Sequence, residues 1–146
     1  MARMNITMPE AMQAKLNRLG TEYDGIVQKM LVEGAKPLEE QVIANLESVV
    51  GRDTKYESRS TGALVKAVKV TKAYQVSNGD WHIKVAIYGY DEKGVPNALK
   101  GMVLEKGKSG QPAKPWLKPA VSKTKNQCVD AMHAVLDREV SQLWLQ

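Results

Sequence analysis

Residues 64–87 read LVKAVKVTKAYQVSNGDWHIKVAI, and this stretch decides the fold class. Leu64, Val68, Val70, Tyr74 and Val76 fall on even positions, with Lys66 and Lys72 breaking the alternation. Beyond Ser77-Asn78-Gly79-Asp80, the odd positions Trp81, Ile83, Val85 and Ile87 alternate with His82, Lys84, Ala86 and Tyr88. Successive side chains of a strand point to opposite faces, so each run offers one apolar face. Asn-Gly accepts the positive φ angles of a tight reversal, which predicts an antiparallel hairpin centred on Asn78-Gly79. A second turn, Asp91-Glu92-Lys93-Gly94-Val95-Pro96, precedes the short apolar run Met102-Val103-Leu104, read as a further strand. The expectation is an antiparallel sheet of three to four strands within residues 63–106, with Trp81 and Tyr74 on its apolar, core-facing phase.

Working outward, both flanks carry helical spacing. On the N-terminal side (1–50), Met12, Leu16 and Leu19 follow Pro9, a residue suited to a first helical turn. Gly20 reads as a stop and Thr21 as the next N-cap. Tyr23, Ile26, Val27, Met30 and Leu31 form one stripe, and Leu38, Val42, Ile43, Leu46 and Val50 another, with Gly34 and Pro37 between them. Proline inside a helix removes a hydrogen bond, so the segment is either one bent helix or two abutting ones, stopped at Gly51. Residues 51–62, GRDTKYESRSTG, have almost nothing to bury and read as a mobile loop. On the C-terminal side, residues 107–118 are a connection. A long helix follows over 119–143, with Val121, Cys128, Met132, Val135, Leu136, Val140 and Leu143 on one face, packed on the sheet. Helices, then strands, then a helix predict a single α+β domain over 1–146.

Composition narrows the classes of function. The 146 residues are 43% hydrophobic and 25% charged, a globular balance that argues against disorder. Phe is absent, so Val, Leu, Ile, Met and Ala must build the core. One cysteine, Cys128, rules out an intrachain disulfide framework. No apolar run approaches the roughly 20 residues that span a bilayer, and Asn5, Glu10 and Gln13 interrupt the start too early for a signal peptide. Net charge is +5, unevenly placed: five basic and seven acidic residues in 1–50, twelve and six in 51–114, four and three in 115–146. A basic middle suits either nucleic-acid contact or an ordinary solvated face.

Chemistry-bearing patterns are sparse. Cys128 and His133 are five apart on one helix, too far round it for a nucleophile and its base, and Cys128 lies on the apolar stripe. Two distant histidines and one cysteine make a poor zinc site. His82 is expected to face solvent. Gly101, Gly107 and Gly110 lack the Lys-Ser/Thr ending of a phosphate loop. Glu39/Glu40 and Asp91/Glu92 have no evident apolar pocket to raise a pKa. The expectation is no enzyme and no cofactor. Lys66, Lys69, Lys72 and Lys84 form a basic hairpin, but only Tyr88 and Tyr90 remain for base stacking.

Residues 99–120, LKGMVLEKGKSGQPAKPWLKPA, together with Ser60-Thr61-Gly62-Ala63-Leu64, carry a resemblance. They resemble the head–tail joining or tail-completion proteins (neck, minor tail component) of tailed bacteriophages and prophages. That family shows a Thr-Gly-x-Leu lead-in to the first strand, a strand with Leu-Glu-aromatic-Gly, and a Pro-aromatic-Leu-Arg-Pro-Ala lead-in to the last helix. Here the second element is Leu104-Glu105-Lys106-Gly107 and the third is Pro115-Trp116-Leu117-Lys118-Pro119-Ala120. Lys106 stands where an aromatic is usual, and Trp116 where Phe is usual. The likeness covers roughly residues 20–140, with the N-terminal helical part alike in arrangement only.

The resemblance implies a structural morphogenesis protein that completes the tail or joins tail to head, as a ring of its own copies (a hexamer among the options). Its neighbours would be head–tail connector or tail-tube proteins. Direct DNA contact is not favoured and no membrane is involved. It would assemble in the host bacterial cytoplasm and end in the virion. The residues expected to carry contacts are Lys55, Tyr56 and Arg59 in the loop, and Glu105, Lys106 and Lys108 near a sheet edge. Leu104, Gly107, Pro115, Trp116, Leu117 and Pro119 are expected to anchor the last helix. The alternative is a small basic nucleic-acid-binding protein.

Overall fold

The Asn78-Gly79 reversal forms as its residues require. The computed structural model describes Met4, residues 8–52 and residues 62–145. Within it Gly79 has φ +92°, its N–H reaches the Val76 carbonyl at 2.9 Å, and Val76 N–H reaches the Asp80 carbonyl at 2.9 Å. The hairpin consists of β1 (Val68–Val70), β2 (Tyr74–Gln75), β3 (Trp81–His82) and β4 (Val85–Ile87). They form two antiparallel two-stranded sheets, β1–β4 and β2–β3, in place of one sheet of three to four strands.

The break between them is a bulge. Val70 lies opposite Val85, and Thr71 N–H continues that register by donating to the Lys84 carbonyl at 2.9 Å. Tyr74 then lies opposite His82, so Lys72 and Ala73 face Ile83 alone. One extra residue flips every later side chain of that strand to the other face. Tyr74 therefore leaves the core phase expected of it. Its ring lies 6.0 Å from that of His82, with Lys84 Nζ 5.5 Å from its centroid. Trp81 stays on the inner side, half-buried, and its Nε1–H donates to Asp24 Oδ1 at 3.1 Å. The other break in the alternation, at Lys66, belongs to a single helical turn, α2 (Ala63–Lys66), whose Leu64 is buried.

The N-terminal segment is one helix, α1, from Glu10 to Val49, with Pro37 inside it. Gly20 does not stop it and Thr21 does not cap a new helix. The Thr21 hydroxyl instead donates back to the Asn17 carbonyl at 3.0 Å, a local bond that leaves the helix running. Val50 and Gly51 (φ +70°) end it as expected.

Met102-Val103-Leu104 is helical, against expectation: it lies in α3, Asn97–Lys106. Pro96 before it and Gly107 (φ +75°) after it bracket a run in which Ala98, Leu99, Lys100, Met102, Leu104, Glu105 and Lys106 are good helix formers. Asn97 and Gly101 are buried and Leu104 half-buried, a helical spacing that a strand could not turn to one side. Lys55, Tyr56 and Arg59, expected to carry contacts from the loop, lie outside the described residues.

The last helix, α4, runs from Leu117 to Leu145 and lies antiparallel along α1 rather than on the sheet. Lys29 Nζ meets Glu139 Oε2 at 3.1 Å, and Lys15 Nζ reaches the Trp144 carbonyl at 3.1 Å. Gly34 permits the approach, since a Cβ there would sit 2.6 Å from Met132 Cγ. The core gathers at one end of this pair, where Val42, Leu46, Leu64, Val68, Trp116 and Ala120 bury together.

Candidate interaction surfaces

The start of α4 is set by a side chain from α3. A helix begins with backbone N–H groups that have no internal partner. Glu105 supplies them: Oε2 accepts from Trp116 N–H at 2.7 Å and Leu117 N–H at 2.8 Å, and Oε1 from Lys118 N–H at 3.1 Å. Partial burial raises the pKa of this carboxyl, but the three N–H groups and the nearby Lys118 charge outweigh it, leaving it below the usual range. The residue expected at a sheet edge is thus on a helix and turned inward.

Trp116 completes the joint. It is 6% exposed, its Nε1–H donates to the Gly101 carbonyl at 2.9 Å, and its own carbonyl accepts from Asn45 Nδ2 at 3.0 Å. Gly101 lets α3 come this close: a Cβ there would stand 2.7 Å from Ile87 Cδ1 and 3.1 Å from the indole. Asn97 ties the other end of α3 to the hairpin, donating to the Tyr88 carbonyl through Nδ2 at 3.0 Å. Leu104 packs against the core, and its carbonyl accepts from Lys114 N–H at 2.7 Å. At Gly107 a Cβ would meet backbone atoms of Ala113 at 2.7 Å and Gln111 at 2.9 Å, so glycine is required. Pro115, Leu117 and Pro119 are exposed around this joint.

Two clefts flank α3. The first is an apolar groove of ≈ 330 Å³ between β4, α3 and the base of α4, walled by Val85, Ile87, Met102 and Trp116, with Lys106 on its rim. One wall is an edge strand, since β4 pairs only with β1 among the described residues. The second, ≈ 720 Å³ and more polar, lies across α3 between Tyr90, Leu99, Lys100 and Lys108. Lys106 and Lys108, grouped by sequence, therefore serve different clefts. The floor of the second is pinned by Asp91, whose carboxyl lies below its usual range because Lys100 (2.6 Å) and the N–H groups of Val95 and Lys93 (each 2.8 Å) hold it ionised.

A third surface lies at the opposite end of the helix pair. No residue from 8 to 25 is buried, and Met8, Met12, Leu16, Trp144 and Leu145 are all exposed there. Lys15 Nζ sits 5.0 Å from the Trp144 ring centroid. Sequence reasoning passed over Trp144 and Leu145, and weighed Gly101 only as a phosphate-loop glycine and Met102 only as a strand residue. For Gly101 the signal was available, as its spacing from Asn97 and Leu104 is helical.

Cys128 is half-buried on α4 and His82 is exposed. Among the described residues no cluster of three or more His, Cys, Asp or Glu could hold a metal ion, and no helix is long and apolar enough to cross a membrane. A family model described as "Bacteriophage HK97-gp10, putative tail-component" matches residues 10–89, more than half of the chain. Comparison with curated proteins and with solved structures gave no match.

Proposed function

Because the chain belongs to the HK97-gp10-like family of bacteriophage tail components, we propose that it completes the tail or joins tail to head as a closed ring of its own copies. The ring meets head–tail connector or tail-tube proteins, assembles in the host cytoplasm and is retained in the virion. The family match carries this reading. The surfaces described above support it: hydrophobic side chains lie exposed beside lysines at two well-separated ends, as an assembly part needs. Identical subunits close a ring only through a head-to-tail contact between two different surfaces.

The test is charge reversal at both clefts, Lys106→Glu with Lys108→Glu. Exposed charges contribute little to stability, so the monomer keeps its fold and its melting curve. Assembly of infectious particles should fail. Normal yields from the double variant would overturn the assignment of these lysines to the contact. Steep loss of DNA binding with salt in the wild type would favour the nucleic-acid alternative instead.

A further inference from the structure

We infer that the far end of the α1–α4 pair, around Trp144 and Leu145, docks into the apolar groove beside α3 on the next copy of this chain. The inference rests on the ring reading and deepens it by naming the two surfaces that meet.

Both surfaces are apolar and open. Met102 in the groove is 55% exposed, and Leu145 at the far end is 87% exposed. Side chains this large seldom stand together in water without a partner. The groove, at ≈ 330 Å³, has room for a large side chain or two rather than for a whole helix. The protruding end offers side chains of that kind.

One copy cannot satisfy itself. Val42 lines the groove and Met12 lies at the far end, both on α1. The thirty residues between them put the surfaces roughly 45 Å apart at 1.5 Å per residue. The contact is thus between copies, and it joins unlike surfaces, as ring closure demands.

Charge selects the pairing. The far end (8–24 and 137–145) has five acidic and three basic side chains, a net −2, with Glu139 paired to Lys29 and Asp24 accepting from Trp81. The groove end (62–70 and 85–118) has eight basic and three acidic, a net +5. Two of those three acids, Glu105 and Asp91, already serve internal donors. Two groove ends therefore repel, two far ends repel, and a far end is drawn to a groove.

The experiment traps the contact. Single-cysteine proteins Met102→Cys and Leu145→Cys, each with Cys128→Ser, are mixed at high concentration under mild oxidant, alongside each alone. Both introduced cysteines replace exposed residues, and circular dichroism confirms the fold. The mixture should give roughly tenfold more disulfide-linked dimer than either protein alone, because docking raises the local thiol concentration. Light scattering on the wild type runs in parallel. If the wild type associates but the mixture shows no excess, the docking surfaces are wrong and the ring stands. If the wild type stays monomeric and the mixture shows no excess, both fail. An excess supports the docking whichever way the wild type behaves.

Discussion

The same two helices lead opposite lives at their two ends. Near the sheet, Val42 and Leu46 on α1 and Ala120 on α4 are sealed beneath Trp116, Leu64 and Val68. Toward Glu10 and Leu145 the helices have, among the described residues, only each other, and Leu143 is the one buried residue on α4 past Val135. Two helices side by side shield one stripe each, whereas a third layer closes the core. Met12, Leu16 and Leu19 recur at helical spacing just as Leu38, Val42 and Leu46 do, yet Met12 and Leu16 are exposed and Leu19 only half-buried, while Val42 and Leu46 are sealed. Apolar spacing reports that a helix has a face. It does not report what covers that face.

Removing the indole is the most direct way to break this contrast. Trp116→Ala empties a buried site and should lower stability by roughly 3–5 kcal/mol in chemical denaturation. A loss below about 1 kcal/mol would place Trp116 outside the core. Gly107→Ala comes next, at roughly 1–3 kcal/mol, because its φ suits glycine and the added Cβ meets backbone that cannot swing away. Glu105→Gln should lower stability at neutral pH by about 1 kcal/mol, the usual scale of a lost helix cap. It also sharpens the comparison through pH. A carboxyl whose folded pKa is depressed contributes fully above its unfolded value, near 4.5, and loses that contribution as pH falls through the folded value. The variant should therefore show a shallower acid-side decline than the wild type. Asp91 titrates with the same sign and remains in both, so the difference curve isolates Glu105. At the far end, Met12→Ser and Leu16→Ser should change stability by no more than about 0.5 kcal/mol. A larger loss would show that this end is packed in the monomer.

The hairpin was legible because Asn78-Gly79 admits few alternatives and the alternation beside it is long. The α+β order followed from the change of period on either side. Tyr74 was misplaced because one inserted residue inverts a strand's faces, and only the exceptional Lys72 hinted at it. The α3 helix is hard to read because three apolar residues in a row fit a strand or a helix equally well, and its markers are only the flanking Pro96 and Gly107. Gly20 and Thr21 carried ordinary stop and start signals, overridden because α4 lies along α1 and rewards its continuity. The motif singles out Trp116, which is buried, while Pro115, Leu117 and Pro119 beside it stand exposed. Glu105's inward turn was not legible, since a carboxylate between a leucine and a lysine gives no sign of which backbone it will meet.

The cap that Glu105 places on α4 has a mechanical side. A helix of 29 residues is a rod of about 43 Å, held in direction at one end by three hydrogen bonds to a neighbouring element. Tilting it by about 5° at that pivot carries the distal tip through roughly 4 Å, on the order of one strand spacing. Gly34 against Met132, Lys29 against Glu139 and Lys15 against Trp144 bind α4 to α1 along the rod. A change in the lie of α3 therefore reaches the far end only as a movement of the two helices together.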